Sequence, residues 1–218
     1  MKQDLTIDLL VREAKTFCEV MSQANHPSLA GVTDGKAVGT YVEHLFQKWL
    51  SEKYCFQTGN SAKGIDLPGE AILTDIKVTS ITQPQSSCPF RSARQKVFGL
   101  GFHLLVFVYE KTDKGNHCNL QFLFCTFIEK ERTADFTTTK RLREMIDDGA
   151  ELEDIIGFLQ DKNIPGDEIT HQELAEEILS HKPKQGYLTI SNALQWRLQY
   201  ARVITLHNKV QGIKNYEW

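Results

Sequence analysis

Between His103 and Tyr109 the chain carries an unbroken apolar run of strand length, Leu-Leu-Val-Phe-Val at its centre, and Leu120 to Ile128 is a second. Strands without polar alternation are buried on both faces, so other structure has to cover them. Two helical patterns offer that cover. In Leu5 to Met21 the positions Leu5, Ile7, Leu9, Leu10, Ala14, Phe17, Val20 and Met21 fit one apolar stripe, and in Lys36 to Tyr54 the positions Val38, Tyr41, Val42, Leu45, Phe46 and Trp49 fit another. Asn25 to Gly35 is a loop, and Lys111 to Asn116 reads as the turn between the two apolar strands. The expected fold class is α/β, a mixed β-sheet core flanked by helices.

One further strand carries charge. From Ala71 to Ser80 the residues alternate, Ile72, Thr74, Ile76 and Val78 against Leu73, Asp75, Lys77 and Thr79, so Asp75 and Lys77 share a face. Pro68-Gly69 is a turn signal, Ile65-Asp66-Leu67 reads as the end of a preceding strand, and a hairpin turning about Glu70-Ala71 sets Asp66 across from Asp75. Two carboxylates and an ammonium at one point are costly to bury without a purpose. The carboxylates repel unless a cation sits between them, and oxygen ligands suit a hard divalent ion, Mg²⁺ first with Mn²⁺ as a substitute. A neighbouring Lys then orients or deprotonates a water, or offsets charge on a phosphorane-like transition state. Acid-x-Lys triplets also arise by chance, as in Glu13-Ala-Lys15 and Asp34-Gly-Lys36, and taken alone Asp75-x-Lys77 is more often a surface salt bridge. Neither of the other two triplets lies in a strand pattern or has a second Asp on a preceding strand.

With the hairpin and Asp66 included, these residues resemble the PD-(D/E)xK nucleases, and among them the type II restriction endonucleases. The match is Gly64-Ile65-Asp66, a short hairpin, then Thr74-Asp75-Ile76-Lys77, with Ile65 standing where the family usually has Pro. It covers the core from about Lys36 to Glu129. The resemblance implies a restriction-endonuclease-like fold and a metal ion held by Asp66, Asp75 and the backbone carbonyl of Ile76, beside a catalytic Lys77. It also implies that an acid from the helix before the hairpin faces the metal centre, the position of Glu43. From the helix pattern alone, Glu43 is a solvated acid flanking the apolar stripe.

The formal net charge of −3 does not advertise a nucleic-acid binder, but its distribution does. Between Asp75 and Glu110 there is no acid, against Lys77, Arg91, Arg94 and Lys96; between Glu177 and Glu217 there is again none, against Lys182, Lys184, Arg197, Arg202, Lys209 and Lys214. From Glu144 to Glu177 the chain has twelve acids, with Lys162 the basic exception. Phosphate contacts need only the local field. The five cysteines have no C-x-x-C spacing, and neither a signal peptide nor an apolar run of membrane length is present, so reduced thiols in the cytoplasm and no membrane are expected.

After the hairpin, Thr79 to Pro89 is polar with two prolines and no charge, which excludes a central strand and suggests an exposed loop. Gln83, Gln85, Ser86, Ser87 and then Arg91 offer the side chains that bond base edges; a plain polar crossover fits as well. Phe90 to Phe98 looks like a short helix with Arg91, Arg94 and Lys96 placed for phosphates. His103 reads as a core or rim histidine. From Thr137 the pattern is helical, with helices at Thr139 to Ile146 and Leu152 to Gln160, one from a capping box at Thr170-His-Gln-Glu173 through Leu179, and one from Thr189 to Ile204. The last exposes Asn192, Gln195, Arg197, Gln199 and Arg202, so the last two helices suggest a helix-turn-helix, with a helical cover or dimerisation element equally compatible. The expected division is a catalytic core over 1–136 and a helical C-terminal region over 137–218.

The combined expectation is an Mg²⁺-dependent, sequence-specific endonuclease on double-stranded DNA that leaves 5′-phosphates. One site per chain cutting both strands of a palindrome calls for a homodimer. A PD-(D/E)xK repair or junction nuclease is the near alternative, and a non-cleaving DNA-binding protein on a nuclease-like core the distant one.

Overall fold

A computed structural model describes residues 2–59, 64–89, 91–191 and 195–218, the side chain of Gln195 excepted. Along the chain come β1 (Gln3–Asp4), α1 (Ile7–Ser22), α2 (Gly35–Lys53), β2 (Tyr54–Cys55), β3 (Thr74–Ser80), β4 (Gln85–Pro89), α3 (Arg94–Phe98), β5 (His103–Lys114), β6 (His117–Ile128), α4 (Phe136–Asp147), α5 (Leu152–Asp161), α6 (Glu168–Ser180), β7 (Thr189–Ile190), β8 (Gln195–Gln199), α7 (Ala201–Ile204) and β9 (Ile213–Glu217). They form two compact units that each use discontinuous chain. One takes Met1–Pro84, Phe102–Ile128 and Ile204–Trp218, and the other Gln85–Gly101 and Glu129–Val203. A single cut after residue 136 therefore does not reproduce the division.

The first unit is built on a sheet of order β3-β5-β6-β9, with β3 parallel to β5 and the other pairs antiparallel, the mixed sheet expected from the sequence. Leu104 to Val108 of β5 are fully buried, as an unalternated apolar run requires. The β5–β6 hairpin closes at Gly115-Asn116 instead of over the longer turn expected, because antiparallel pairing continues through Lys111 to Lys114 where the strands leave the core and face water. Thr6 caps α1 by accepting from the Leu9 N–H, and Asp34 caps α2 by accepting from the Lys36 N–H. Phe17 of α1, Phe46 of α2 and Phe107 and Phe122 of the sheet form one aromatic cluster, with Phe17–Phe46 centroids 5.0 Å apart and Phe46–Phe107 centroids 5.1 Å apart. Both helices thus lie on the sheet face that also carries Ile76, Leu105 and Tyr109.

In the second unit, Leu142, Ile155, Leu159, Leu174, Ala175 and Ile178 join α4, α5 and α6 around a core that includes Ala93 and Val97. Three sequence expectations change here. Thr189 to Ile204 is not one helix: β7 and β8 pair antiparallel and α7 follows, so the described residues form no helix-turn-helix there. Trp196, Leu198 and Tyr200 are buried while Arg197 and Gln199 are exposed, a period of two that overlaps the helical spacing of Leu194, Leu198 and Ala201 and wins through cross-strand pairing. The polar segment thought to be an exposed loop contributes β4, which pairs with β8 at the edge of the sheet β4-β8-β7, the place a strand ending in Pro89 tolerates. α6 starts earlier than its expected capping box, since Asp167 is the cap and accepts from the Thr170 N–H. None of the described helices is long and apolar enough to cross a membrane. None of the five cysteines is in a disulfide.

Candidate active site

Strand β3 is held by its full parallel ladder with β5, Asp75 opposite Leu104 and Lys77 opposite Val106. Alternation then turns Ile76 to the helices and Asp75 with Lys77 to the other face, as the sequence pattern requires. The preceding hairpin also forms. Leu67 and Thr74 exchange both backbone hydrogen bonds at 3.0 Å, and the N–H groups of Ile72 and Leu73 donate to the Gly69 carbonyl, so the chain reverses about Glu70-Ala71. Asp66 is therefore the next residue across from Asp75.

A second bond fixes Asp66 to the open edge of β3: its Oδ2 accepts from the Ile76 N–H at 2.7 Å. The N–H and C=O of one strand residue point to the same edge, so the Ile76 carbonyl faces the same side as the Asp66 carboxylate. Gly59 holds Asp66 from behind, its N–H donating to the Asp66 carbonyl at 2.7 Å; a Cβ on Gly59 would stand 1.9 Å from the Ile65 oxygen. Nothing in the sequence marked Gly59, because that contact depends on how the chain folds back over residues 65 and 66.

On the strand itself, Lys77 Nζ lies 2.7 Å from Asp75 Oδ2, with Asp75 only 4 % exposed. Burial pushes the Asp75 carboxyl up to about 7; the Lys77 charge opposes that rise and the neighbouring Asp66 adds to it. Asp66 is also raised, first by burial and further by Glu43, while its bonds to Asp75 and to the Ile76 N–H act in the opposite sense. Glu43 thus comes beside Asp66 from α2. Gly39, one helical turn before Glu43, brings α2 onto β3, an added Cβ there standing 3.8 Å from the Val78 carbonyl oxygen.

The fold links these side chains in a row, Glu43 to Asp66, Asp66 to Asp75 and Asp75 to Lys77. Among the described residues no three His, Cys, Asp or Glu side chains converge as a ready-made metal cage. The available donors are two interacting carboxylates and the carbonyl of Ile76, an all-oxygen set with surplus negative charge and a fit to a hard divalent cation.

Residues expected to contact DNA fare unevenly. Gln83 is exposed in the turn after β3, where its carbonyl accepts from Thr79 Oγ1. Gln85 and Ser87 lie on one face of β4. Ser86 lies on the other, its hydroxyl 2.5 Å from that of Tyr200, so it does not present itself to bases. Arg91 is exposed, and its backbone N–H donates to Gln95 Oε1. Arg94 is forked onto Glu177, with contacts of 2.6 to 2.9 Å, and is stacked over Phe98, which spends its charge within the protein. Lys96 is buried, its Nζ donating to the Ile190 carbonyl at 2.8 Å; the helix it sits on is too short to offer all its basic residues to solvent. Arg197 is exposed on β8. Asn192 and the Gln195 side chain lie outside the described residues.

Comparison with known proteins adds to this geometry. The family model described as "Type II restriction enzyme NspV" matches residues 4–215. The type II restriction enzyme NspV from Nostoc sp. is 53% identical over 211 residues, covering 96% of this chain and 95% of its own. A solved structure of the tetrameric restriction endonuclease SfiI bound to cognate DNA aligns with 100% of this chain and 89% of its own, at 12% identity and a TM-score of 0.41.

Proposed function

Because this chain belongs to the NspV family of type II restriction enzymes, and so is a site-specific DNA endonuclease, we propose that it hydrolyses double-stranded DNA at the cluster of Asp66, Asp75 and Lys77, with Glu43 in support. Family membership decides for a restriction enzyme over the repair nuclease and the non-cleaving binder. The observation that carries the catalytic reading is the pairing of Lys77 Nζ with Asp75 Oδ2 at 2.7 Å on a strand whose open edge also anchors Asp66.

The family implies a divalent metal ion, and we infer Mg²⁺, with Mn²⁺ able to replace it, held by Asp66, Asp75 and the Ile76 carbonyl. Bound there, the ion would withdraw charge from the oxygens of the scissile phosphate. The chain's own groups do the rest. Asp66, fixed by the Ile76 N–H, and Asp75, fixed by the β5 ladder, are preorganised and lose little entropy when they act. Lys77 orients the attacking water and meets the charge that builds on phosphorus. The water oxygen bonds to phosphorus as the bond to the 3′ oxygen breaks; one water proton passes to solvent through the Lys77–Asp75 pair and a proton from solvent goes to the departing 3′ oxygen, leaving a 5′-phosphate and a 3′-hydroxyl. Glu43, beside Asp66, holds water or a second ion. Cutting both strands of a palindrome with one such cluster per chain calls for a homodimer, acting in a reducing cytoplasm where the five cysteines stay reduced.

The experiment is plasmid digestion in Mg²⁺ by the wild type, Asp75→Ala and Lys77→Ala, with a gel-shift of the same DNA in parallel. Discrete fragments from the wild type alone, with binding retained in both variants, are expected. Wild-type-like cutting by Asp75→Ala would remove this mechanism.

A further inference from the structure

Building on the reading of the chain as a DNA endonuclease, we propose that the solvent face of the β4–β8 ribbon is its base-reading surface. Arg197 takes guanine and Gln199 with Gln85 takes adenine, in the major groove. Ser87 and Thr189 complete this face. Gln199 and Thr189 thereby become specificity residues, and Ser86 leaves the set.

The face follows from register. Gln85 pairs with Gln199 and Ser87 with Arg197, while Thr189 of β7 pairs with Gln199, so these five side chains share one side of the sheet. The alternate residues, Cys88, Trp196, Leu198 and Ile190, are buried, Trp196 and Leu198 completely, which anchors the ribbon and leaves the polar side outward. Arg197 and Gln199 are exposed on it.

Charge agrees with this assignment. The two longest acid-free stretches near the basic residues, 76–109 and 178–216, supply all three strands of the sheet, so β4, β7 and β8 contain no carboxylate. The folding of those two stretches into one sheet makes a surface that phosphates do not repel. Arg197 Nη1 donates to Ser87 Oγ at 3.0 Å, which steadies the guanidinium while its remaining N–H groups stay available for the guanine O6 and N7 acceptors. Gln offers the donor and acceptor that match adenine N7 and N6.

Dimensions agree as well. A major groove admits a two-stranded β-ribbon. Successive side chains on one strand face are about 6.8 Å apart, twice the spacing of about 3.4 Å between neighbouring bases. Arg197 and Gln199 are therefore set for bases about two steps apart. Covalently, β4 follows β3 after the link of residues 81–84.

The test uses the full protein, a pool of short duplexes with a randomised centre, and sequencing of what is cut in Mg²⁺. The pool is also sequenced after selection by binding alone on the Asp75→Ala background, so a failure of the catalytic reading and a failure of this one are seen separately. Arg197→Ala and Gln199→Ala should each lose discrimination at one base pair of the half-site by about 10- to 100-fold, a guanine position for the first and an adenine position for the second. Arg197→Lys, which keeps the charge without the fork, should relax the same position, and thermal melts of all three should match the wild type. Unchanged sequence profiles overturn the proposal. So does uniform weakening across all sequences, the signature of phosphate contacts, or a change confined to the association state, the signature of a subunit contact.

Discussion

Replacing Asp75 by Asn should make the metal-free protein more stable while destroying its activity. Asp75 is buried and its carboxyl is pushed up to about 7 from an ordinary 3.8, mainly by desolvation. Each pKa unit is worth about 1.4 kcal/mol, so holding this carboxylate ionised in the fold costs about 4 kcal/mol. The sign follows from which state keeps the proton. Above its unfolded value the unfolded chain has already lost the proton, while the folded protein retains it until near pH 7. Stability therefore falls as pH rises from about 4 to about 7, and the full penalty applies above that range. Asn carries no such penalty, and the value of about 7 already includes the attraction of Lys77, so loss of the 2.7 Å ion pair takes nothing further from the gain. A net gain of about 2–4 kcal/mol remains, or about 5–15 °C in Tm for a chain of this length. Thermal melts in EDTA should show Asp75→Asn well above wild type at pH 8 and level with it near pH 4. Added Mg²⁺ should narrow the gap by stabilising the wild type alone. If the variant melts at or below wild type at pH 8, or the difference does not depend on pH, the account of a site held under electrostatic strain is wrong.

Other changes test the supports of the site and the surface assignments. Gly59→Ala, whose Cβ would fall 1.9 Å from the Ile65 oxygen, should displace Asp66 and cut cleavage at least about 10-fold while costing about 1–3 kcal/mol, read by initial rates and urea melts. Glu13 is buried between α1 and α2, and its burial is outweighed by bonds from Lys53 and Tyr54 at 2.7 Å and Trp49 at 2.9 Å, which hold its carboxyl below the ordinary 4.5. Glu13→Gln should therefore lose about 1–3 kcal/mol near neutral pH and progressively less as acid protonates the wild type below about pH 4, followed by chemical denaturation. Lys96→Met should lower Tm yet leave the salt dependence of DNA binding unchanged, because the buried Lys96 amine is bonded to Ile190; a reduced salt slope would return Lys96 to the DNA surface.

Local rules acting on residues close in sequence made much of this protein legible. The unalternated run at Leu104 to Val108 required a central strand. The alternation through Thr79 put Asp75 and Lys77 on one face, and Pro68-Gly69 set a hairpin that brought Asp66 across from them. Each signal lies within about a dozen residues, so no distant contact was needed to interpret it. The segment 189–204 was different, because Leu194, Leu198 and Ala201 suit a helix while Trp196, Leu198 and Tyr200 suit a strand. Only β4, more than a hundred residues away, chose between them by supplying hydrogen-bond partners for β8. The same held for charge: sequence revealed which residues are basic, but their neighbours in space decided their use, Glu177 neutralising the still-exposed Arg94 and the Ile190 carbonyl holding Lys96 inside, while Arg197 stays exposed. Periodicity determines what a segment does to its own faces; pairing across long loops decides which of those faces meets water.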